Sequence, residues 1–240
     1  MGIIWTHERI ERYRRSSEYT AFHKKLSVLA EPYLDDTWTL ADIGCGSGLL
    51  TLWLAPMVAY IDAIDINEAA IASLTARLDD VFDTSADVAD KVKPRISDLR
   101  DLQGAWDVVL LSFFGVNEEV FETALPLAKK RVMIFMHSRR EASEPFSPED
   151  DGTKFTAPEM EAFLKERGFV YKKTVMEMQF GHPFKTIDEI HSFIGEYSDA
   201  KWIANAEERV VKTNRFDYPY YLPRSVGVAM FIIAVNKGER

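Results

Sequence analysis

The chain holds one cysteine, Cys45, in 240 residues. An intrachain disulfide is therefore excluded, and no Cys and His group has the spacing of a zinc site. No stretch reaches the roughly 18 to 20 consecutive apolar residues of a membrane helix. The first thirty residues carry charges throughout and lack the apolar core of a signal peptide. Positive charge is in short supply, with 29 Lys and Arg against 38 Asp and Glu and a formal net charge of -9. Phosphate-backbone affinity rests on Lys and Arg displacing counterions, so nucleic acid is a disfavoured partner. A hydrophobic content of 47% and a charged content of 28% exclude a disordered or fibrous chain. The expectation is a cytoplasmic protein of one large domain, with no metal and no membrane partner.

Within this ordinary composition one stretch stands out. An apolar run at residues 38–43 leads into three glycines at alternate positions, Gly44, Gly46 and Gly48, and a helix-like apolar segment follows at residues 49–58. Strand, tight turn and helix start is the pattern in which a backbone without side chains lets a ligand approach. Free N–H groups at the helix entrance favour polar or anionic ligand groups. About twenty residues on, residues 60–66 read as a second strand, with Asp65 placed to accept hydrogen bonds from a ribose. The pattern predicts a site for a nucleoside cofactor.

Strands and helices alternate from there. Residues 6–34 read as one or two helices with Phe22, Leu26, Leu29 and Tyr33 on one face. They serve either as cover for a sheet edge or as a lid that brings Tyr13, Tyr19 and His23 to the ligand. Asn67 caps a helix striped by Ile71, Leu74 and Leu78. Five aspartates between Asp79 and Asp90 read as a solvated helix end and loop. Strands are expected at 92–96, 106–111 and 131–136, with a helix over 118–130. A polar loop at 137–155 precedes a capping box, Thr156 with Glu159, and a helix closed by Gly168. Long strands at 169–180 and 226–235 flank a second capping box, Thr186 with Glu189, whose helix carries Ile187, Ile190, Ile194 and Tyr197.

Parallel βα units place ligands at the carboxyl ends of strands. Gly44 to Gly48, Asp65 and Asp98 all fall at such ends, so one ligand can touch all three. In these residues the chain resembles the class I S-adenosylmethionine-dependent methyltransferases. The motif is Asp42-Ile-Gly-Cys-Gly-Ser-Gly48, with Asp65 opening Asp-Ile-Asn after the second strand. Its G-x-G-x-G spacing differs from the G-x-G-x-x-G of dinucleotide binders, which disfavours an NAD-dependent oxidoreductase.

The resemblance implies an α/β, Rossmann-like, mostly parallel seven-stranded sheet with helices on both faces and an antiparallel last strand. A helical lid would occupy 1–35, the cofactor core 36–180, a helical insertion 181–225 and the last strand 226–240. It implies that the turn backbone of Gly44, Cys45, Gly46 and Gly48 receives the methionine part of S-adenosylmethionine, with Asp42 anchoring its amino group. Asp65 would hold the ribose hydroxyls and Ile66 would pack on adenine. Asp98 would accept from the exocyclic amine and the Leu99 N–H would meet a ring nitrogen. Ser112 and Phe113 would line the side nearest the methyl group.

A sulfonium methyl is already activated, so alignment of a nucleophile about 3 Å away supplies most of the rate, and a base is needed only for a protonated nucleophile. The catalytic residue is accordingly open, with His23, His137 and His182 as candidate bases and Tyr19 as a candidate orienting hydroxyl. Family members that methylate planar nitrogens commonly carry an Asn-Pro-Pro-Tyr-like motif where this chain has Ser112-Phe113-Phe114-Gly115. That departure favours a small-molecule acceptor. The alternative is a cofactor-binding subunit without turnover. Phe180, Phe184, Trp202, Phe216, Tyr218, Tyr220 and Tyr221 either wall an acceptor pocket or seal the insertion, and residues 216–221 serve equally as a homodimer contact.

Overall fold

The structure, a computed structural model, describes residues 6–80, 84–139, 155–195 and 206–235. Its strands are β1 (Thr39–Ile43), β2 (Tyr60–Asp65), β3 (Val92–Ile96), β4 (Trp106–Ser112), β5 (Ala128–His137), β6 (Tyr171–Gln179), β7 (His182–Phe184), β8 (Val211–Lys212), β9 (Tyr220–Leu222) and β10 (Ser225–Ala234). Seven of them form one sheet in the order β3-β2-β1-β4-β5-β10-β6. Neighbours from β3 to β5 pair in parallel, while β10 runs antiparallel to both β5 and β6. β1 pairs with β2 on one side and β4 on the other, so the chain reverses its direction of travel across the sheet at β1. In an open α/β sheet this switch point is where a crevice forms beyond the strand ends.

Alternate residues divide between two cores, as the two-residue period of a strand requires. Leu40, Ile61, Val108 and Phe135 join one core with Phe22, Leu26 and Ala30. Ala41, Ile64, Val109 and Ile134 join the other with Phe121, Met160, Phe163 and Leu164. The described helices are α1 (His7–Thr20), α2 (Phe22–Ala30), α3 (Thr51–Leu54), α4 (Glu68–Asp79), α5 (Ala86–Ala89), α6 (Glu118–Ala124), α7 (Ala157–Glu166) and α8 (Ile187–Gly195), with α2 packed into the first core and α6 and α7 into the second. Helices therefore cover both faces. The capping box of Thr156 and Glu159 opens α7, and Asn67 accepts from the Ala70 N–H to open α4.

Two helices are shorter than their apolar spacing suggests. After Gly48, α3 lasts one turn before a 3₁₀ turn at Ala55–Met57, and α6 likewise gives way to a 3₁₀ turn at Leu125–Leu127. Pro56 and Pro126 sit inside those turns. Proline lacks the N–H that a continuing α-helix needs, and β5 consequently starts at Ala128 instead of residue 131.

The insertion holds, beside α8, a three-stranded antiparallel sheet in the order β7-β9-β8. Its strands are three, two and three residues long, below the length at which a period-two pattern is legible. Phe184, Ile190, Phe193 and Leu222 form its own small core. The polar loop expected at 137–155 falls largely, and Tyr197 and Trp202 wholly, outside the described residues. Among the described residues no helix is long and apolar enough to cross a membrane.

Candidate active site

The glycine turn leaves β1 at the switch point. Gly44 and Gly48 both have φ of 73°, in the left-handed region. Space forbids side chains there as well. A Cβ on Gly44 would lie 2.5 Å from the ring of Phe114, and one on Gly48 2.4 Å from Leu74 Cδ1. Gly44 N–H and Cys45 N–H both donate to the Ile64 carbonyl, at 2.8 and 3.1 Å, which ties the turn to the end of β2.

Asp65 closes the same knot from the other side. Its Oδ2 accepts from Gly46 N–H and its Oδ1 from Asn67 N–H, each at 2.8 Å. These bonds hold the carboxylate rigid, and each oxygen keeps a second lone pair for a ligand. Ile66, the next residue, is 68% exposed, and Ile96 at the end of β3 is 54% exposed. Large apolar side chains at a crevice rim offer a surface for a flat apolar ligand group.

Asp42 lies beneath the turn and is 1% exposed. Its Oδ2 accepts from the Thr51 hydroxyl at 2.5 Å, whereas its buried Oδ1 has no hydrogen-bond partner. Burial pushes its pKa up to about 7, against the pull of the Thr51 bond, and the neighbouring Asp65 charge adds to the rise. A buried acceptor without a donor is an expensive feature to keep. A cationic or N–H donor ligand would satisfy it. Cys45 beside it has its thiol pKa raised well above the usual value, by burial first and then by Asp42 and Asp65. It stays a neutral thiol, not a thiolate nucleophile.

The other strand ends differ in their freedom. Both oxygens of Asp98 are held by the Arg100 guanidinium, at 3.0 and 2.6 Å, and one caps the Arg100 N–H. Those bonds draw its pKa down to about 2. An adenine amine at Asp98 would share the carboxylate with Arg100, whose side chain is itself largely solvent-exposed. Leu99 is half-buried against the α6 side of the sheet.

At the end of β4, Ser112 is half-buried and Phe113 has φ of 53°. A bulky residue in that region is strained, and such strain collects at functional sites. The Phe113 ring faces His137 from the end of β5, centroid to centroid 5.4 Å, and Phe22 from α2 at 6.0 Å.

His23 is buried, with Nδ1 2.6 Å from the Ser17 hydroxyl and Nε2 3.5 Å from the Tyr13 hydroxyl. Burial drives its pKa down to about 3, assisted by the Arg77 charge. His182 is similar: burial, then Arg224 and Arg12, lower it to about 3, and Nδ1 lies 3.2 Å from the Ser16 hydroxyl. One neutral imidazole, His23, thus joins α2 to α1, and the other, His182, joins α1 to β7. Tyr19 is stacked on Tyr221 at 4.8 Å under the Arg215 guanidinium. Its ring contacts belong to the small sheet.

Three contributors had no signal in the sequence. Thr51 meets Asp42 only because the chain folds back after the turn. Phe114 lies over Gly44, and Phe22 reaches Phe113 across the sheet edge.

Residues 40–131 match the family model described as a methyltransferase domain. That match covers less than half of the chain and identifies a methyltransferase domain within it. The matched segment spans β1 to the start of β5 and contains the glycine turn, Asp42, Asp65 and Phe113. The chain is 26% identical over 113 residues to the ribosomal protein L11 methyltransferase of Ruminiclostridium cellulolyticum, an alignment covering 47% of this chain. It spans about a third, 35%, of that relative's length. Among solved structures it is similar to YcgJ of Bacillus subtilis, with TM-score 0.56 and 11% identity, over 91% of this chain and 100% of that one. It is also similar to the magnesium protoporphyrin IX methyltransferase of Synechocystis with bound S-adenosylmethionine. That match has TM-score 0.54 and 14% identity, over 95% of this chain and 91% of the other. At these identities the likeness to the solved structures is one of fold. The cofactor of the methyltransferase domain is S-adenosylmethionine, and the residues at the switch point fit it: a bare glycine cradle, a buried unpaired carboxylate oxygen and a rigid acceptor pair on Asp65.

Proposed function

We propose that the protein transfers the methyl group of S-adenosylmethionine to a small-molecule acceptor, releasing S-adenosylhomocysteine. The observation that carries this is the partnerless Oδ1 of Asp42, buried under a turn that admits no side chain at Gly44 or Gly48. S-adenosylmethionine supplies a methyl group already activated by a positive sulfur.

The protein's part is binding and alignment. In this reading Asp42 holds the cofactor's amino group through Oδ1, while Thr51 keeps the carboxylate from rotating away. Asp65 holds the ribose hydroxyls with the lone pairs that Gly46 and Asn67 leave free. Ile66 packs on adenine, Asp98 accepts from its amine and Leu99 donates a backbone N–H. Gly44, Cys45, Gly46 and Gly48 cradle the methionine part, and Ser112 and Phe113 face the methyl side. His137, against the Phe113 ring, is the better placed candidate base. His23, neutral down to about pH 3, is a poor proton acceptor at neutral pH.

The domain division follows from the same reading: a lid at 1–35, a cofactor core at 36–180, an insertion at 181–225 and the closing strand at 226–240. The net charge of -9 supports a small-molecule acceptor over a nucleic acid, and a cytoplasmic location goes with it. The exposed Phe216, at the tip between β8 and β9, suits a homodimer contact.

One observation favours a second reading, a cofactor-binding subunit without turnover: the ring of Phe22, itself packed on Phe180, lies beside Phe113 where an acceptor would enter. Titration calorimetry with S-adenosylmethionine tests the cofactor site. Asp65→Ala should weaken binding by roughly 1 to 3 kcal/mol with the fold retained. Unchanged affinity would remove Asp65 from the site. Transfer of labelled methyl groups to any of a panel of small acceptors separates the enzyme from the silent binder.

A further inference from the structure

The space beyond the end of β4 is filled by rings. Phe22 is 3% exposed and lies 4.7 Å from Phe180 and 6.0 Å from Phe113, centroid to centroid. Tyr13 is edge-on to Phe180 at 5.0 Å, and His23 is edge-on to Phe22 at 5.2 Å. This is the crevice side of the sheet, where a ligand reaches the strand ends.

Two features separate the cluster from ordinary core. Phe113 holds its ring there from a strained backbone, φ 53°. Phe22 is the first residue of α2 and follows Ala21, which is also left-handed at φ 53° and joins α2 to α1. A side chain at a helix start, next to a joint, can leave with a small backbone rotation. α1 itself is tied elsewhere, by Ser16 to His182 and by an Arg15–Glu189 ion pair at 2.9 Å.

We propose that Phe22 occupies the acceptor's place, and that the acceptor is a flat, uncharged ring that replaces Phe22 between Phe113 and Phe180; this rests on the methyltransferase reading above. Ring pairs contribute about 0.5 to 1.5 kcal/mol beyond their buried area. Displacing Phe22 forfeits those contacts, and a ligand with ring faces restores them. A charged acceptor would lose its hydration against aromatic rings, and the two titratable side chains among them, Tyr13 and His23, are uncharged at neutral pH. Tyr13 is pushed up to about 12 by burial, with Arg224 opposing, and His23 down to about 3. Arg77 and Arg224 act on these groups through charge, but each already has an interaction of its own.

The test measures ligand binding and does not depend on turnover. The full chain, saturated with S-adenosylhomocysteine, is titrated with 2-naphthol and with 2-naphthyl phosphate. The naphthol should bind and the phosphate should bind at least about ten-fold more weakly. In Phe22→Ala the place is already open, so 2-naphthol should bind about ten-fold tighter, with S-adenosylhomocysteine affinity unchanged. Should Phe22→Ala lose its cooperative melt, Phe22→Val, which opens part of the same space with a smaller cavity, should show a smaller gain in naphthol affinity in the same direction. Unchanged or weaker naphthol binding in a folded variant overturns the proposal, as does equal affinity for the phosphate. Failure of S-adenosylhomocysteine to bind would instead count against the cofactor site, and naphthol titration of the unliganded chain would still report on the ring cluster.

Discussion

The Thr51 hydroxyl donates to one oxygen of Asp42 at 2.5 Å and leaves the other oxygen buried and unpaired. The carboxylate is therefore held in one orientation with half of its acceptor capacity open. Burial without a second partner is what lifts its pKa to about 7.

Cofactor affinity should accordingly depend on pH near neutrality. Only ionised Asp42 pairs with a cationic amino group, so affinity should climb by up to about ten-fold per unit below pH 7 and level off above it. Calorimetry between pH 5.5 and 7.5 reads this directly. Asp42→Asn should bind at least about ten-fold more weakly and lose the slope. A slope that survives in Asp42→Asn would assign the titration to another group.

The same residue should make the unliganded protein less stable as pH rises. The folded state keeps the Asp42 proton up to about 7 whereas the unfolded chain releases it near the ordinary 3.8, so stability falls across that window. Asp42→Asn, with the same shape and no charge, should be more stable than the parent at pH 8 by roughly 1 to 3 kcal/mol in urea unfolding. A less stable variant at that pH would mean that the charge is not what is being tolerated.

Gly48 should not accept alanine. Left-handed backbone and the approach to Leu74 combine, and Gly48→Ala should lose roughly 2 to 4 kcal/mol of stability. Gly168 is the control: it has φ of 70° but open space around its Cβ position. Gly168→Ala should lose only about 1 kcal/mol. Equal losses at the two sites would show that backbone conformation alone matters.

Ala21 carries the opposite expectation. It ends α1 with φ of 53° and its N–H bonded back to Glu18 and Ser17, a place where glycine is at ease. Ala21→Gly should gain roughly 0.5 to 1 kcal/mol in the thermal or urea midpoint. A loss would argue against the left-handed joint on which the movement of Phe22 depends.

Acid should loosen the N-terminal helices from the sheet. His23 and His182 are held neutral with pKa values of about 3, below the unfolded value of 6.5. Between those limits the unfolded chain binds more protons, so their contribution is complete above pH 6.5 and is lost as pH falls towards 3. This trend opposes that of Asp42 over the same range. His23→Gln should flatten the acid limb of a melting-temperature profile, and an unchanged limb would remove His23 from that role.

The glycine spacing, Asp65 and the alternation of apolar runs were legible because each is local. Positive φ at Gly44 and Gly48, the cap at Asn67 and the buried pattern of β4 follow from neighbouring residues alone. Where local rules ran out, the causes are specific. Proline shortened α3 and α6, and strands of two or three residues carry no period to read.

At the site, local chemistry sufficed to place the Asp42 to Gly48 turn and Asp65 at adjoining strand ends, because parallel pairing brings consecutive strand ends together. Tertiary packing decided the rest. It set Thr51 against one oxygen of Asp42 and left the other bare, closed Asp98 with Arg100, and drew Tyr19 onto Tyr221. It also laid Phe22 against Phe113 and Phe180. Such contacts join residues far apart in the chain through helix docking, and docking follows from the volumes and angles of the assembled sheet, which no short stretch encodes.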